Sequence, residues 1–509
     1  MERRDFLKIG SGATVLAAGS SAVPSLAADG GSAGKIFPKT PAILSSYTAE
    51  DHRQRLENIA RGNQNIRACL RKHMVHSYMP GQACYNLGEY PCRKPWDPDE
   101  YDEQELDKLR DHDIELIQVF DDWNDSLRLF GGDKYTALNP EGFRRFVEMV
   151  HQRGMKIITY ASTGFIELAD PDFRPEWSRK GDSLHFGYWN MARCAPASVS
   201  WRAYLLPRIV RTLDDYGADG LYIDCGYVTN AHRPPNTPTK DEIFAFEESP
   251  SHDGALADLL AIIYAETKRR GGIVKLHIDA ARQPLTGKAE VYDYLWVGEG
   301  VNNADVLREK VKNFPPYVVP CIDREFVTLA NENEPYLHAI PYMQFPVLQA
   351  GRPFTGERAT IPGIKYPPEE KDFWVRRCRE IWKYYQANPN APPTYSIWDS
   401  VPGKAEIRPI HARWLKAYRP LVEEGTFAWL EIKDSNLLTQ SPDENVVASA
   451  FANRHFYLVL ANYGHNSAQV HTSETYVSVS DSLETPSKDW NLKSRSLHIL
   501  RRSVEPPSA

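Results

Sequence analysis

The stretch "GADGLYIDCG", residues 217–226, decides the fold. Gly217 has the form of a helix C-cap, since glycine readily takes the left-handed conformation in which many helices end. Gly220 then lets the chain turn. Leu221, Tyr222 and Ile223 form an apolar run too short for a helix and bounded by glycines, which reads as a buried strand. What the strand delivers at its end is a carboxylate, Asp224, and Gly226 removes side-chain bulk beside it. Helix, tight turn and buried strand in that order are one step of an alternating α/β chain.

The alternation continues in both directions. Apolar, β-rich runs stand at "IELIQVF" (114–120), "MKIITYAS" (155–162), "GLYIDCG" (220–226), "IVKLHIDA" (273–280), "YDYLWVGEG" (292–300), "YVVPCID" (317–323) and "MQFPVL" (343–348), and "KHMVHSYMP" (72–80) supplies a first. Helical patterns lie between them. "NPEGFRRFVEMVHQRG" (139–154) begins with an Asn cap and a proline in the first turn, repeats Phe143, Phe146, Val147 and Val150 at helical spacing, and stops at Gly154. "SVSWRAYLLPRIVRTLDDYGADG" (198–220) follows the same plan, with a kink expected at Pro207. Strands apolar on both faces and separated by helices call for parallel pairing with the helices outside. Eight such units predict a (β/α)8 TIM barrel, and no G-x-G-x-x-G follows an early strand to suggest a dinucleotide fold.

Beyond about residue 424 the pattern becomes short alternating strands with polar turns and no helices, which predicts a small C-terminal antiparallel β-sandwich over 424–505. The barrel is expected over 73–423, behind a linker and helical segment at 29–72. Residues 1–28 carry Arg3-Arg4 followed by Phe6-Leu7-Lys8, a weakly apolar run, and small residues around Ser25 to Ala28. This resembles a twin-arginine export signal, implying the export machinery as a partner and a periplasmic or extracellular location. The apolar run is too short and too interrupted by Gly and Ser for a lasting membrane span.

A net charge of −7, with no Lys/Arg run interleaved with aromatics, argues against nucleic acid as a partner. The seven cysteines form no C-x-x-C pair and no Cys/His spacing for a metal, and no cofactor motif is present.

In a parallel barrel the carboxyl ends of the strands converge on one mouth, where chemistry is found. Here they deliver Asp121, Asp122 and Trp123 from strand two, Tyr160 and Ser162 from strand three, and Asp224 from strand four. Strand five brings His277, Asp279 and Arg282, strand six Trp296 and Glu299, and strand seven Asp323, Arg324 and Glu325. Any one of these acids also suits a helix cap or an ion pair, and His277, inside its strand, also suits a satisfied core histidine. Together, acids gathered around one mouth need a reason. Asp224 and Glu299, on next-but-one strands, form the pair that glycosidic cleavage requires: one carboxyl protonates the leaving oxygen while the other meets the charge growing at the anomeric carbon. Glu299 stands between Gly298 and Gly300 behind an apolar "YLWV", a setting that favours a working acid.

With these residues in place, "GADGLYIDCG" resembles the strand-four motif of the retaining α-galactosidase-like and α-glucosidase-like glycoside hydrolases. The resemblance implies Asp224 as nucleophile and Glu299 as general acid/base, with α-linked oligosaccharide or polysaccharide as substrate. The plan of a barrel followed by a small β domain is similar too. Two departures stand out: the α-galactosidase branch has aspartate where Glu299 stands, and its strand-four lysine is replaced by Tyr222. Substrate contacts are then expected from Trp123, Trp189, Tyr227 and Trp296 as stacking faces, with Asp121, Asp122, His277, Asp279 and Arg324 as polar partners. Each aromatic taken alone also fits core packing.

Two other functions compete. One is a barrel that binds carbohydrate without cleaving it, because fold does not settle function. The other is a metal-dependent polysaccharide hydrolase or lyase using Asp121, Asp122, His277 and Asp279 on a divalent cation, which the lack of H-x-H or H-E-x-x-H spacing disfavours.

Overall fold

The computed structural model describes residues 47–87, 96–120, 123, 135–137, 139–168, 170–186, 189–224, 252–278, 291–298, 301, 303–320, 331–352, 384, 387–388, 408–440, 442–480 and 485–503, with backbone alone at 179–186, 189–190 and 252–253. Eight parallel strands form the barrel sheet. In chain order they are β2 (Gln82–Asn86), β3 (Leu116–Val119), β4 (Lys156–Ser162), β8 (Gly220–Asp224), β9 (Ile273–Ile278), β10 (Tyr294–Val297), β11 (Val318–Pro320) and β12 (Leu348–Gly351). Each pairs with the next from β2 to β11, and β12 returns to pair with β2.

The outer faces of these strands pack on helices, as double-sided apolarity requires. Leu221, Ile223, Val274 and Leu276 share one buried cluster with Leu205 of α4 (Val199–Tyr216) and Leu259 of α5 (His252–Arg269). The inner faces converge on a second set that includes Cys84, Ile158, Tyr222, Trp296 and Val347.

Two helices, α1 (Ala49–Asn65) and α2 (Glu100–Asp111), come earlier in the chain, and local signals set the helix boundaries. The Ser198 side chain accepts from the Trp201 amide to start α4, and Gly217, left-handed at φ 70°, ends it with its N–H on the Leu213 carbonyl. The helix runs unbroken through Pro207. α3 (Pro140–Gln152) opens on Asn139, whose side chain accepts from the Gly142 amide. Gly154, at φ 73°, lies just beyond its C-cap.

The first barrel strand differs from expectation. Residues 66–74 form a strand, β1 (Ile66–Met74), but it pairs antiparallel with β13 (Phe427–Ser435) in the C-terminal sheet, and the barrel begins at β2. "QACYN" was hard to see because Gln82 and Asn86 interrupt its apolar pattern, although both are buried. Between β4 and α4 the chain builds a small antiparallel sheet from β5 (Phe165–Glu167), β6 (Ser178–Phe186) and β7 (Trp189–Cys194), with β7 central.

The C-terminal sheet has seven strands in the order β1, β13, β14 (Val446–Ala452), β15 (Phe456–Asn462), β18 (Ser496–Arg502), β16 (Ala468–Ser478), β17 (Ser487–Leu492). It is one continuous antiparallel ladder that curls over its own core. Asn462 at the end of β15 donates to the carbonyls of Leu492, the last residue of β17, and of Lys493 just after it, although β18 and β16 lie between those strands in the ladder. Alternate residues such as Ala448, Leu458, Val470 and Trp490 fill the enclosed face. Residues of the other face, among them Val459 and Ile499, join the cluster that also contains Leu415 and Tyr418 of α8 (Arg408–Tyr418). Among the described residues no helix is long and apolar enough to cross a membrane.

Candidate active site

Asp224 is the last residue of β8, at the carboxyl end of the fourth barrel strand, and is in register with Ser162 at the end of the third. Its carboxylate is partly exposed and held on both oxygens. The Tyr160 hydroxyl donates to Oδ2 at 2.8 Å, and His277 Nδ1 lies 3.1 Å from Oδ1. Its backbone is held as well, with Thr163 directing its amide (3.4 Å) and its hydroxyl (3.1 Å) to the Asp224 carbonyl.

The segment that supplies Tyr160 and Thr163 is itself fixed from behind by three aromatic donors. Trp123 Nε1 donates to the Tyr160 carbonyl (3.1 Å), the Tyr135 hydroxyl to the Ser162 carbonyl (2.5 Å), and Trp201 Nε1 to the Thr163 carbonyl (3.1 Å). Buried backbone carbonyls that find donors in this way cost the fold nothing and lose their freedom to move. The end of β4 thus makes a rigid bracket for Asp224.

Below the carboxylate the barrel is closed by rings. Tyr222 and Trp296 stand 5.0 Å apart between centroids, Phe120 lies 5.5 Å from Trp296, and Tyr160 lies 5.9 Å from Tyr222. One layer down, on the same face of β9 as His277, sits Lys275. It is fully buried, donates to Gln118 Oε1 at 2.8 Å, and lies 5.4 Å from the centre of the Trp296 ring. Tyr222, Trp296 and Lys275 of this floor are buried, so charges at its upper surface interact in a medium of low effective dielectric.

Several expected contacts therefore change role. Trp123 is buried and stacked on Phe143 at 5.1 Å on the helix side of the sheet, so it anchors Tyr160 and cannot present a face to a sugar. Trp296 is likewise buried, and serves as floor rather than as a stacking platform. His277 faces Asp224. Trp189 begins β7 with only its backbone described, while Asp121, Asp122, Tyr227, Asp279, Glu299 and Arg324 lie outside the described residues. Sequence reading placed Tyr160 at a strand end without giving it a function, and passed over Lys275. The available signal was the two-residue spacing of Lys275 and His277, which puts both on one face of a strand whose other residues are apolar.

One cluster elsewhere has the proximity of a metal site: Asp305 on α6 (Ala304–Val311), with Glu334 and His338 on α7 (Glu334–Ala339). Its centre is already occupied by cationic side chains. Arg495 donates to Asp305 (3.0 Å) and to Glu334 and lies 3.0 Å from His338 Nε2, and Arg308 donates to Asp305 at 2.8 Å. Burial, followed by the charge of Arg308, pushes His338 down to about 3. Burial alone would raise Asp305, but the Arg495 hydrogen bond and the surrounding positive charge hold it below the usual carboxylate range. Two guanidiniums leave no role for a metal ion, and the cluster is an ionic joint between the barrel and the strand β18 that follows Arg495.

No family model matches the chain, and no curated protein matches it. Solved structures do. The trehalulose synthase MutB from Pseudomonas mesoacidophila MX-45 aligns over 84% of this chain and 100% of its own, with 11% identity and a TM-score of 0.51. A point mutant of MutB from crystals soaked with trehalulose aligns over 84% and 100%, with 13% identity and a TM-score of 0.50. A noncanonic maltogenic alpha-amylase from Thermotoga neapolitana covers 84% and 99%, with 11% identity and a TM-score of 0.48. At these identities the likeness is one of fold, and the fold is an eight-stranded parallel α/β barrel with a C-terminal antiparallel sheet.

Proposed function

We propose that this chain is a glycoside hydrolase that cleaves α-linked oligosaccharide or polysaccharide with retention, with Asp224 as nucleophile and Glu299 as general acid/base. The observation that carries the reading is Asp224 itself: a carboxylate at the end of the fourth strand, above a buried aromatic floor, with both oxygens held by neighbours. A nucleophile must approach the anomeric carbon along a fixed line, and a pre-set carboxylate reduces the entropy lost in reaching that line. The barrel of trehalulose synthase, crystallised after soaking with trehalulose, supports sugar as the substrate class; no residue role is carried over from it. Glu299 enters through the strand-six position and the strand-four resemblance.

The test is turnover of a panel of aryl α- and β-glycosides together with α-glucosyl and α-galactosyl fluoride. The wild type should cleave at least one α-glycoside, Asp224→Asn should lose about 10³-fold or more in kcat, and Glu299→Gln should lose most on substrates with poor leaving groups. Equal rates for wild type and both variants would refute the assignment.

Export fits the same reading, because polymeric sugars are met outside the cytoplasm. We infer export through the twin-arginine route from Arg3-Arg4 and the residues that follow. Replacing both with lysine should leave the protein in the cytoplasmic fraction, and unchanged export would reject the inference.

A further inference from the structure

We propose that Tyr160 and His277 are positioning residues that give the two oxygens of Asp224 different tasks, Tyr160 keeping Oδ2 as the spectator and His277 aligning Oδ1 as the oxygen that attacks. The proposal rests on the reading of Asp224 as nucleophile.

The argument follows the electrons. Attack forms a bond from one carboxylate oxygen to the anomeric carbon as the bond to the leaving group breaks; the leaving group takes that electron pair, and the negative charge of the carboxylate is consumed. In the resulting glycosyl ester the spectator oxygen is a carbonyl and remains a good acceptor, whereas the attacking oxygen becomes a bridging ester oxygen and a poor one. A donor at the spectator can stay throughout the cycle. A donor at the attacking oxygen has to let go.

The two partners differ in the required sense. Tyr160 is a phenol, a donor at any working pH. It makes the shorter contact, 2.8 Å, and its backbone carbonyl is fixed by Trp123. His277 makes the longer contact, 3.1 Å, through a nitrogen whose proton can move to the other ring position. Tyr160 therefore suits Oδ2 as a permanent partner, and His277 suits Oδ1 as a releasable one.

The division has a consequence for charge. Around His277 stand Asp224 and Tyr222 from β8 and Trp296 from β10, with Tyr160 of β4 on the other oxygen of Asp224 and Lys275 below it on its own strand. Among the described residues Asp224 is the one anion in this shell. An imidazolium would grip Oδ1 as an ion pair and oppose the positive charge forming at the sugar, so the working state is anionic Asp224 beside neutral His277. The 3.1 Å contact couples the protons of Asp224 and His277, and to the one on His277 we assign the acid limb of activity.

The experiment measures kcat/KM against pH with α-glucosyl and α-galactosyl fluoride, whose leaving fluoride asks little of the general acid. His277→Gln keeps a donor and removes the charge, so its acid limb should move to lower pH by about one unit or more, with KM within about threefold of wild type. A limb that stays in place or climbs would overturn the proposal, since a histidine that merely supports the anion would depress the carboxylate, and its loss would raise the limb. Tyr160→Phe should lower kcat by about 10- to 100-fold with little change in KM; a change confined to KM would also overturn it.

A second measurement does not depend on the folding of those variants. In protein labelled with 15N-histidine, one imidazole should titrate at lower pH in Asp224→Asn than in the wild type, and the absence of any such resonance counts against the proposal. If Asp224→Asn turns the fluorides over as fast as the wild type, what fails is the nucleophile reading itself.

Discussion

Gly220 and Ile273 are packed so closely that a Cβ on Gly220 would stand 2.0 Å from the Ile273 carbonyl oxygen and 2.7 Å from its nitrogen. The contact lies at the entry to β8 and β9, where their ladder begins with Gly220 opposite Ile273. Both obstructing atoms are backbone, so nothing can rotate aside. Gly220→Ala should therefore force the fourth and fifth barrel strands apart and cost roughly 1–3 kcal/mol or more of stability. Denaturant unfolding of the purified variant checks this, and a stability equal to that of the wild type would show that the strands are less tightly joined than the structure has them.

Thr163 carries the next prediction. It is buried and gives two donors to one carbonyl, that of Asp224. Thr163→Val keeps the shape and the backbone N–H but removes the hydroxyl donor. The loss to stability should be about 1 kcal/mol. The loss to kcat on α-glucosyl fluoride should be larger than stability alone would give, about tenfold, because a displacement of Asp224 falls directly on the line of attack. An unchanged kcat would mean that the side-chain contacts from Tyr160 and His277 suffice to place the carboxylate.

The relation between sequence and structure is instructive at particular residues. The stretch from Gly217 to Asp224 was legible because each residue does one local thing: Gly217 closes a helix, Leu221 and Ile223 face helices, and Asp224 ends a strand. β2 and β17 leave weak signals for a shared reason, polar residues within a short strand. β2 is buried throughout yet includes Gln82 and Asn86, so its pattern looked too polar for a core strand. β17 has Lys488, Asp489 and Asn491 turned outward and only Trp490 and Leu492 turned in, so its apolar signal amounts to two residues. Of β1 only residues 72–74 read as strand, and as the start of the barrel, while 66–71 read as helix, since pairing with β13, more than 350 positions away, leaves no local trace. In the site, alternation along β9 put His277 and Lys275 on one face. That His277 reaches Asp224, and that Trp123 turns away from the mouth, depends on neighbours brought in by other strands.

Acid should weaken the fold through two buried histidines. Burial, with the charge of Arg308, holds His338 at about 3, and burial holds His411 at about 4, although the Pro346 carbonyl works the other way; the ordinary value is 6.5. The unfolded chain therefore binds protons on these rings where the folded chain does not, and stability rises with pH through that window. The contribution is complete above about pH 6.5 and is lost progressively as pH falls toward the folded values, with a limiting slope of about 1.4 kcal/mol per pH unit for each ring. Unfolding free energy measured between pH 7.5 and 4.5 should fall steeply. His411→Gln should flatten the slope whatever its effect at pH 7.5, and a variant as steep as the wild type would show that this ring is not the source.

The joint at Arg495 gives the largest expected effect on stability. Its guanidinium reaches Asp305, Glu334 and His338, and it sits with Glu334 almost wholly out of water. Arg495→Met removes a cation and leaves the Glu334 carboxylate buried with less compensation, at a cost of about 3–5 kcal/mol. The carboxylate then has a strong reason to take up a proton, so the loss should be smaller at pH 5 than at pH 7.5, opposite in sense to the acid weakening expected of the wild type. Adding Glu334→Leu to Arg495→Met removes the orphaned charge and should recover much of the loss, because an apolar pair of similar volume often replaces a buried ion pair without penalty. The double variant separates two meanings of the joint. Recovery of stability means that the ionic contact orients β18 without holding it, and the apolar cluster shared by Val459, Ile499, Leu415 and Tyr418 keeps the sheet against the barrel. A double variant as unstable as Arg495→Met alone would mean that Asp305 and His338 depend on the guanidinium as well, and that the network acts as one unit.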